Sequence, residues 1–460
     1  MLKKFIGNRD FYRRTLAIMI PVLIQNVITN FVSLLDNIMV GRIGTEPMSG
    51  VAIVNQILFV YNLCVFGGMG GAGILTAQYY GKGDDEGVRN SMRTKLYVAA
   101  GVLAVAMAVC IGFGTPLINL FIHEGEDALD LAATLEYGVK YLRIMLLQMP
   151  FFALLNVYSS TLRETGETKV PMNAGIAALF VNLFFNYMLI YGKLGAPKLG
   201  VVGAAIATVI ARVVECGIVV VYTHVNSDRH SFARGLYRSA KVPKSMVVQI
   251  LKMGLPLLIN ELFWSSGMTL QTQAFSLTGL ETVSAQNICN TVSNLFFCSY
   301  FAMGTTVSIV IGQLLGAGKS EEAVDENRKL IAFSMTLAAA VALVMLLLSP
   351  YIPRIYNTTA TVRALATKML IINAVMMPVN ACLNCSFFAI RAGGRSMLTF
   401  LYDSGFVWFV ALPLSYILVK CTSLHIIPIY AIVYGTEVIK MTAGLILIKK
   451  RIWVRSLVAE

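Results

Sequence analysis

Residues 21–93 reappear as residues 256–328, at a constant offset of 235 and without a gap. The register is pinned by Pro21 with Pro256, Gly44 with Gly279, Glu46 with Glu281, Ser49 with Ser284, Asn55 with Asn290, Gln78 with Gln313, Gly81 with Gly316 and Gly83 with Gly318. A second block sets Asn156, Arg163 and Gly166 against Asn384, Arg391 and Gly394 at an offset of 228, so about seven residues are lost between blocks. A chain written twice must fold as two like halves. Repeats that frame a central site are a habit of secondary transporters.

The solvent of this repeat is lipid. With 57% hydrophobic and only 13% charged residues among 460, a soluble globule would lack polar surface. Apolar runs of about 20 residues, each able to cross about 30 Å of hydrocarbon as a helix, occur near 15–40, 49–80, 90–121, 131–162, 168–192, 200–224, 247–278, 283–316, 324–354, 362–391, 396–420 and 426–449. The expected fold is an all-α membrane protein of twelve helices, in two pseudo-symmetric six-helix lobes around a central cavity.

Orientation follows from lysine and arginine, which cytoplasmic flanks retain during insertion. Lys3, Lys4, Arg9, Arg13 and Arg14 lead the chain; Lys82, Arg89, Arg93 and Lys95 follow the second span; Lys449, Lys450, Arg451 and Arg455 end it. The opposite loops are sparse, and one is acidic, with Glu124, Glu126, Asp127 and Asp130. Both termini are thus expected in the cytoplasm. Six spans per copy make both copies enter the bilayer the same way, related by an axis along the membrane normal. The basic stretch with Arg229, Arg234, Arg238, Lys241 and Lys244 reads as a linker, giving lobes at 1–224 and 246–460 joined by 225–245. These loops and the anionic leaflet account for the net charge of +13 without nucleic acid. The start has no small-residue cleavage site before its apolar run, so it reads as an uncleaved first helix.

Soluble chemistries find little support. Cys64, Cys110, Cys216, Cys289, Cys298, Cys382, Cys385 and Cys421 lie almost entirely within spans, as small apolar residues. The pair Cys382 and Cys385 lacks the second pair or histidine that a zinc site needs. His123, His224, His230 and His425 fall in loops or at span ends, so no buried imidazole is expected as a base. No catalytic triad, phosphate loop or nucleotide fingerprint is present, and no cofactor is expected.

The informative residues are acids inside oily helices, where an ionised side chain costs several kcal/mol unless neutralised, paired or hydrated. Asp36 lies near the outer end of the first span. Glu261 sits about 13 Å of helix past Lys252, and Asp403 lies at similar depth past Arg395. Asn26, Asn30, Ser33 and Asn37 form one polar stripe; Asn287, Asn290 and Asn294 form another. Such amides need partners, either a watery cavity or a neighbouring helix. Asn55, Asn384 and Tyr402 join these asparagines as candidate cavity residues; Trp264, Phe296, Phe297 and Tyr300 are further aromatic candidates for stacking on a flat cation. Arg212 with Glu215, and Glu437 with Lys440, are three apart and can neutralise each other.

The segments LDNIMVGRIGTEPMSGVAIVNQI, QYYGKGD, LRETGETKVP, NLFFNYMLIYGKLGAPKLGVVGAAIAT and GQLLGAGKSEEA, in this order and spacing, resemble the multidrug and toxic compound extrusion (MATE) family of bacterial antiporters. The resemblance implies two six-helix lobes, a central cavity, and export of organic cations driven by inward sodium or protons, in a bacterial inner membrane, by a monomer. It implies an ion site at Asp36, Asn182, Asn186 and Thr208, with a sodium ion as the one metal to consider. Some relatives have aspartate where Asn186 stands, so this site would hold one carboxylate. Other branches use an acid on the seventh helix, which Glu261 resembles in location; their partner on the tenth helix has no counterpart, Asn380 and Asn384 standing there, and Asp403 is the substitute. Two alternatives remain: a lipid-linked sugar flippase, whose anionic cargo would favour arginines in the cavity, and an intramembrane enzyme, which would need a polar catalytic cluster.

Overall fold

The computed structural model describes residues 4–121 and 128–458; Lys3, His123, Glu124, Glu126 and Asp127 lie outside them. The described residues are nearly all helical. The amino half contains α1 (Arg9–Gly41), α2 (Thr45–Lys82), α3 (Asp85–Asn119), α4 (Ala128–Met145), α5 (Gln148–Glu164), α6 (Lys169–Tyr191) and α7 (Val201–Val225). The carboxyl half contains α8 (Lys244–Ser276), α9 (Leu280–Gly316), α10 (Ser320–Leu348), α11 (Ala360–Ala392), α12 (Ser396–Phe400), α13 (Leu412–Cys421), α14 (Ile426–Gly435) and α15 (Glu437–Lys449). Among the described residues, eleven helices are long and apolar enough to cross a membrane, and a bent pair makes a twelfth.

That bent pair corrects the unbroken fourth span expected at 131–162. It divides into Leu131–Met145 and Gln148–Glu164, bent by 48°. The cause is Pro150, in the first turn of α5, whose missing N–H and rigid φ suit a helix start and interrupt a continuing ladder. The eleventh span also departs from a plain α-helix. Between α12 and α13 it widens into π-helical turns at Leu401–Gly405 and Val407–Ala411, on either side of Phe406.

The chain packs as two compact units that are discontinuous in sequence. One holds Ile24–Thr76 and Asp85–Leu251; the other holds Met1–Leu23, Ala77–Asp84 and Lys252–Glu460. The start of α1 thus belongs with the second unit, where Phe11, Ile18, Met19 and Val22 share a core with Met303, Val307 and Ile311 of α9. In the first unit the basic stretch after α7 is folded onto α3 as well as linking the halves. Arg89 donates to the Ser231 and Phe232 carbonyls at 3.0 and 3.1 Å, and Arg93 to those of Gly235 and Leu236 at 2.7 and 2.8 Å. This packing buries His230, a correction to the expectation that no imidazole is buried. Burial lowers its pKa.

The repeat explains itself where α2 ends against α9. A Cβ on Gly81 would strike the Gln313 carbonyl, and one on Gly316 would strike that of Gln78. Each contact is the repeat image of the other. Gly83 and Gly318 then leave the two helices with φ of 79° and 75°, a region glycine enters without Cβ strain. The tail after α15 seals this end. Gln78 Nε2 donates to the Ala392 carbonyl at 2.9 Å, its Oε1 accepts from Leu457 N at 2.7 Å, Lys82 Nζ donates to the Val458 carbonyl at 2.5 Å, and Trp453 is fully buried. Gly81→Val is expected to destabilise the protein by about 3 kcal/mol, since backbone rather than a mobile side chain must yield. Gly101→Val, with no atom within 4 Å of its Cβ, is the control; equal melting temperatures for the two variants would contradict this crossing.

Candidate functional site

In the first unit α1 and α6 bring three of the expected residues together. Asn182 and Asn186 lie one turn apart on the buried face of α6. Asn186 Nδ2 donates to Asp36 Oδ1 at 2.6 Å and to Asn182 Oδ1 at 3.0 Å. The Tyr191 hydroxyl donates to the Met39 carbonyl at 3.1 Å, fixing α6 against α1. The fourth residue, Thr208, makes no hydrogen bond to these three; its hydroxyl donates to the Ala204 carbonyl of its own helix at 3.0 Å. Asn186 Oδ1 is buried with no hydrogen-bond partner. An orphaned amide oxygen beside a carboxylate and a second amide oxygen is a hard-oxygen set that suits a proton or an alkali cation.

Arg212, one turn past Thr208, forms the expected pair with Glu215 at 2.6 Å and attracts Asp36 from a distance. Sequence reasoning missed the polar layer beneath. Lys95, counted there as a flanking lysine, is fully buried in an ion pair with Glu164, and its ammonium also donates to Ser160 and Thr161 at 3.1 Å each. Gly73 of α2 makes room for that carboxylate, which a Cβ would strike. Arg163 donates to Gln25 Oε1 at 3.1 Å.

The second unit corrects the reading of the other two acids. Asp403 is not isolated: Lys440 Nζ donates to its Oδ1 at 2.8 Å and Asn260 Nδ2 to its Oδ2 at 3.2 Å. Lys440 therefore pairs with Asp403 instead of Glu437, because a long side chain on α15 is free to choose a tertiary partner over its i,i+3 neighbour. Glu261 faces Arg391 at 3.9 Å. Arg163 and Arg391, matched in the repeat, thus each reach the corresponding part of α1 or α8.

The proposed cavity residues divide. Asn30, Asn55, Asn287, Asn290 and Asn294 are exposed and Asn26 half-buried, while Asn384 packs its Oδ1 against Gly304 of α9. Tyr300 and Tyr402 are buried; the Tyr402 ring faces Lys440 Nζ at 5.4 Å from its centroid. No group of three or more His, Cys, Asp or Glu side chains placed to hold a metal ion occurs among the described residues.

Comparison with known proteins agrees with this architecture. The MatE family model matches residues 21–188 and again 256–417, the two copies of the repeat. The chain is 26% identical over 419 residues to the probable multidrug resistance protein NorM of Thermotoga maritima, covering 89% of this chain and 86% of that protein. It is 25% identical over 422 residues to the probable multidrug resistance protein YoeA of Bacillus subtilis, covering 91% and 89%. Among solved structures it resembles a Vibrio cholerae MATE transporter, with TM-score 0.86, 17% identity and coverage of 98% and 99%. A MOP superfamily transporter from Pyrococcus furiosus is similar at TM-score 0.85, 18% identity and coverage of 98% and 97%. With its repeat, its spans and both copies matched, the chain belongs to the MatE family of multidrug and toxic compound extrusion transporters and is not an enzyme.

Proposed function

We propose that the chain is a secondary active antiporter that exports small organic cations in exchange for inward protons or sodium ions, coupled at Asp36. The observation that carries this is the pairing of the three deep acids. Lys440 holds Asp403 and Arg391 faces Glu261, whereas Asp36 makes no ion pair among the described residues and bonds to a neutral amide. Of these three, its charge is the one an incoming cation can neutralise without displacing a fixed counter-charge.

Either ion asks the same of Asn186. A proton makes Asp36 a donor, for which the amide oxygen is the fitting acceptor; a sodium ion needs oxygens where amide hydrogens now point. Turning the amide satisfies both: it replaces the Nδ2 donor that now joins α6 to Asp36 of α1 with Oδ1 and gives up the bond to Asn182 within α6, so loading resets the contact between α6 and α1. Loading thereby favours a second conformation with lower affinity for the organic cation, and unloading inside resets the cycle. The basic flanks support cytoplasmic termini in a bacterial inner membrane, and the site is complete within one chain, as a monomer requires. The names of the Thermotoga and Bacillus relatives support drugs as cargo.

The test is ethidium transport in everted vesicles, with sodium and proton gradients imposed separately. Uphill ethidium uptake is expected under one gradient and not without it. No uphill uptake under either gradient, with folded protein in the membrane, would remove the reading.

A further inference from the structure

The second unit holds a cavity of about 40 Å³ lined in part by Gln271, Phe406, Tyr434, Thr436, Glu437 and Lys440. That volume has room for about two waters or one partly hydrated ion. At the repeat offset of 235, Gln271 is the image of Asp36; at 228, Thr436 is the image of Thr208 and Lys440 that of Arg212. The cavity is therefore the duplicate of the site in the first unit. Its carboxylate has moved, from α8, where Gln271 stands, to α15, where Glu437 stands in place of the image of Val209.

We infer that this cavity is a second monovalent-cation site, with Glu437 as its carboxylate and Lys440 as a tethered counter-ion that competes with the incoming cation. Three observations converge. Glu437 Oε2 is buried with no hydrogen-bond partner, although Asn380 binds the carboxylate. A carboxylate oxygen buried without a donor requires a proton, a water or a cation at its lone pairs. Lys440, three residues on, has its ammonium turned to Asp403 at 2.8 Å and toward the faces of Tyr402 and Phe406 at 5.4 and 5.9 Å, so it is held beside the cavity without closing it. The wall is π-helical on both sides of Phe406, a widening frequent at functional sites. Asp403 is within electrostatic reach of Glu437 and of Glu261, which Arg391 faces at 3.9 Å, and the phenols of Tyr300 and Tyr434 are within reach of Glu437.

The chemistry is an exchange of cations. A proton or alkali ion entering the cavity neutralises Glu437. With the cavity empty, Lys440 has two carboxylates within the swing of one side chain and serves both by turns. Its positive charge opposes any second cation, so the site is weak while Lys440 is present.

The test is equilibrium binding to purified protein carrying Asp36→Asn, which silences the first site; failure of ethidium transport in vesicles therefore leaves this inference standing, and the reverse holds too. Radioactive sodium binding is measured at constant ionic strength in choline chloride, with infrared titration of the carboxyl band as the proton arm. Saturable sodium binding or a titrating carboxyl is expected, weakened at least about tenfold by Glu437→Gln. Lys440→Met should tighten the same signal about tenfold, equivalent to about 1.4 kcal/mol. The double variant Asp403→Asn with Lys440→Met removes the neighbouring pair without stranding either charge and should keep the signal. If Glu437→Gln fails to fold, Glu437→Asp takes its place with the same weakening expected. A signal indifferent to Glu437 and to Lys440, with sodium and with protons, overturns the inference.

Discussion

In everted vesicles held at an imposed coupling-ion gradient of about 50-fold, Asp36→Asn is expected to collapse the ethidium concentration ratio to unity while the protein stays folded. Exchange of one ethidium cation for one proton or sodium ion moves no net charge, so the membrane potential drops out and the coupling ion's own gradient of roughly 50-fold, about 2.3 kcal/mol, sustains a like ethidium ratio; without a group that takes up that ion the ratio has no source. Stability should be unchanged or slightly higher. The substitution preserves shape and the contact to Asn186 while removing a half-buried charge that no lysine or arginine pairs with among the described residues. Ethidium accumulation and melting temperature in detergent check both halves. Near-normal accumulation by folded Asp36→Asn protein would move the coupling elsewhere.

Lys95→Met is expected to cost about 3–5 kcal/mol, the penalty for stranding one member of a buried ion pair. The stranded group is Glu164, enclosed between α2, α3 and α5 by Lys95, Thr161 and Gly73. Adding Glu164→Gln should recover most of the loss, because a neutral amide in the same space no longer demands a counter-ion. Thermal unfolding of the single and double variants decides the matter: equal instability in both would mean that Lys95 acts by filling space alone.

The two cases differ in how far sequence could foresee them. Asp36, Asn182 and Asn186 were brought to one site by family resemblance, and the structure sets them in one hydrogen-bonded row; spacing alone could not have joined a residue on α1 to two on α6. Lys95 was read by its neighbours in sequence as part of a basic flank, whereas its partner lies 69 residues away. The same limit hid Lys440, whose i,i+3 neighbour Glu437 was visible and whose actual partner Asp403 was not. Hydrophobicity located the spans well because lipid imposes it on every residue of a crossing. It reported nothing of the bend before Pro150 or the π-helical turns beside Asp403, which change backbone geometry without changing polarity. His230 was misjudged because a loop was equated with exposure, and here the loop is folded onto α3.

The crossing of α2 and α9 records how such a chain could arise. Position 81 leans on the carbonyl of 313, and 78 offers its own to 316, so each partner plays both parts in one contact. That reciprocity is what an isologous interface between identical subunits demands. A gene of half this length would already possess the notch and the bump, and could close on a second copy of itself. Fusion then let the two copies diverge, and among the positions still matched one glycine and one glutamine answer to each other across 235 positions.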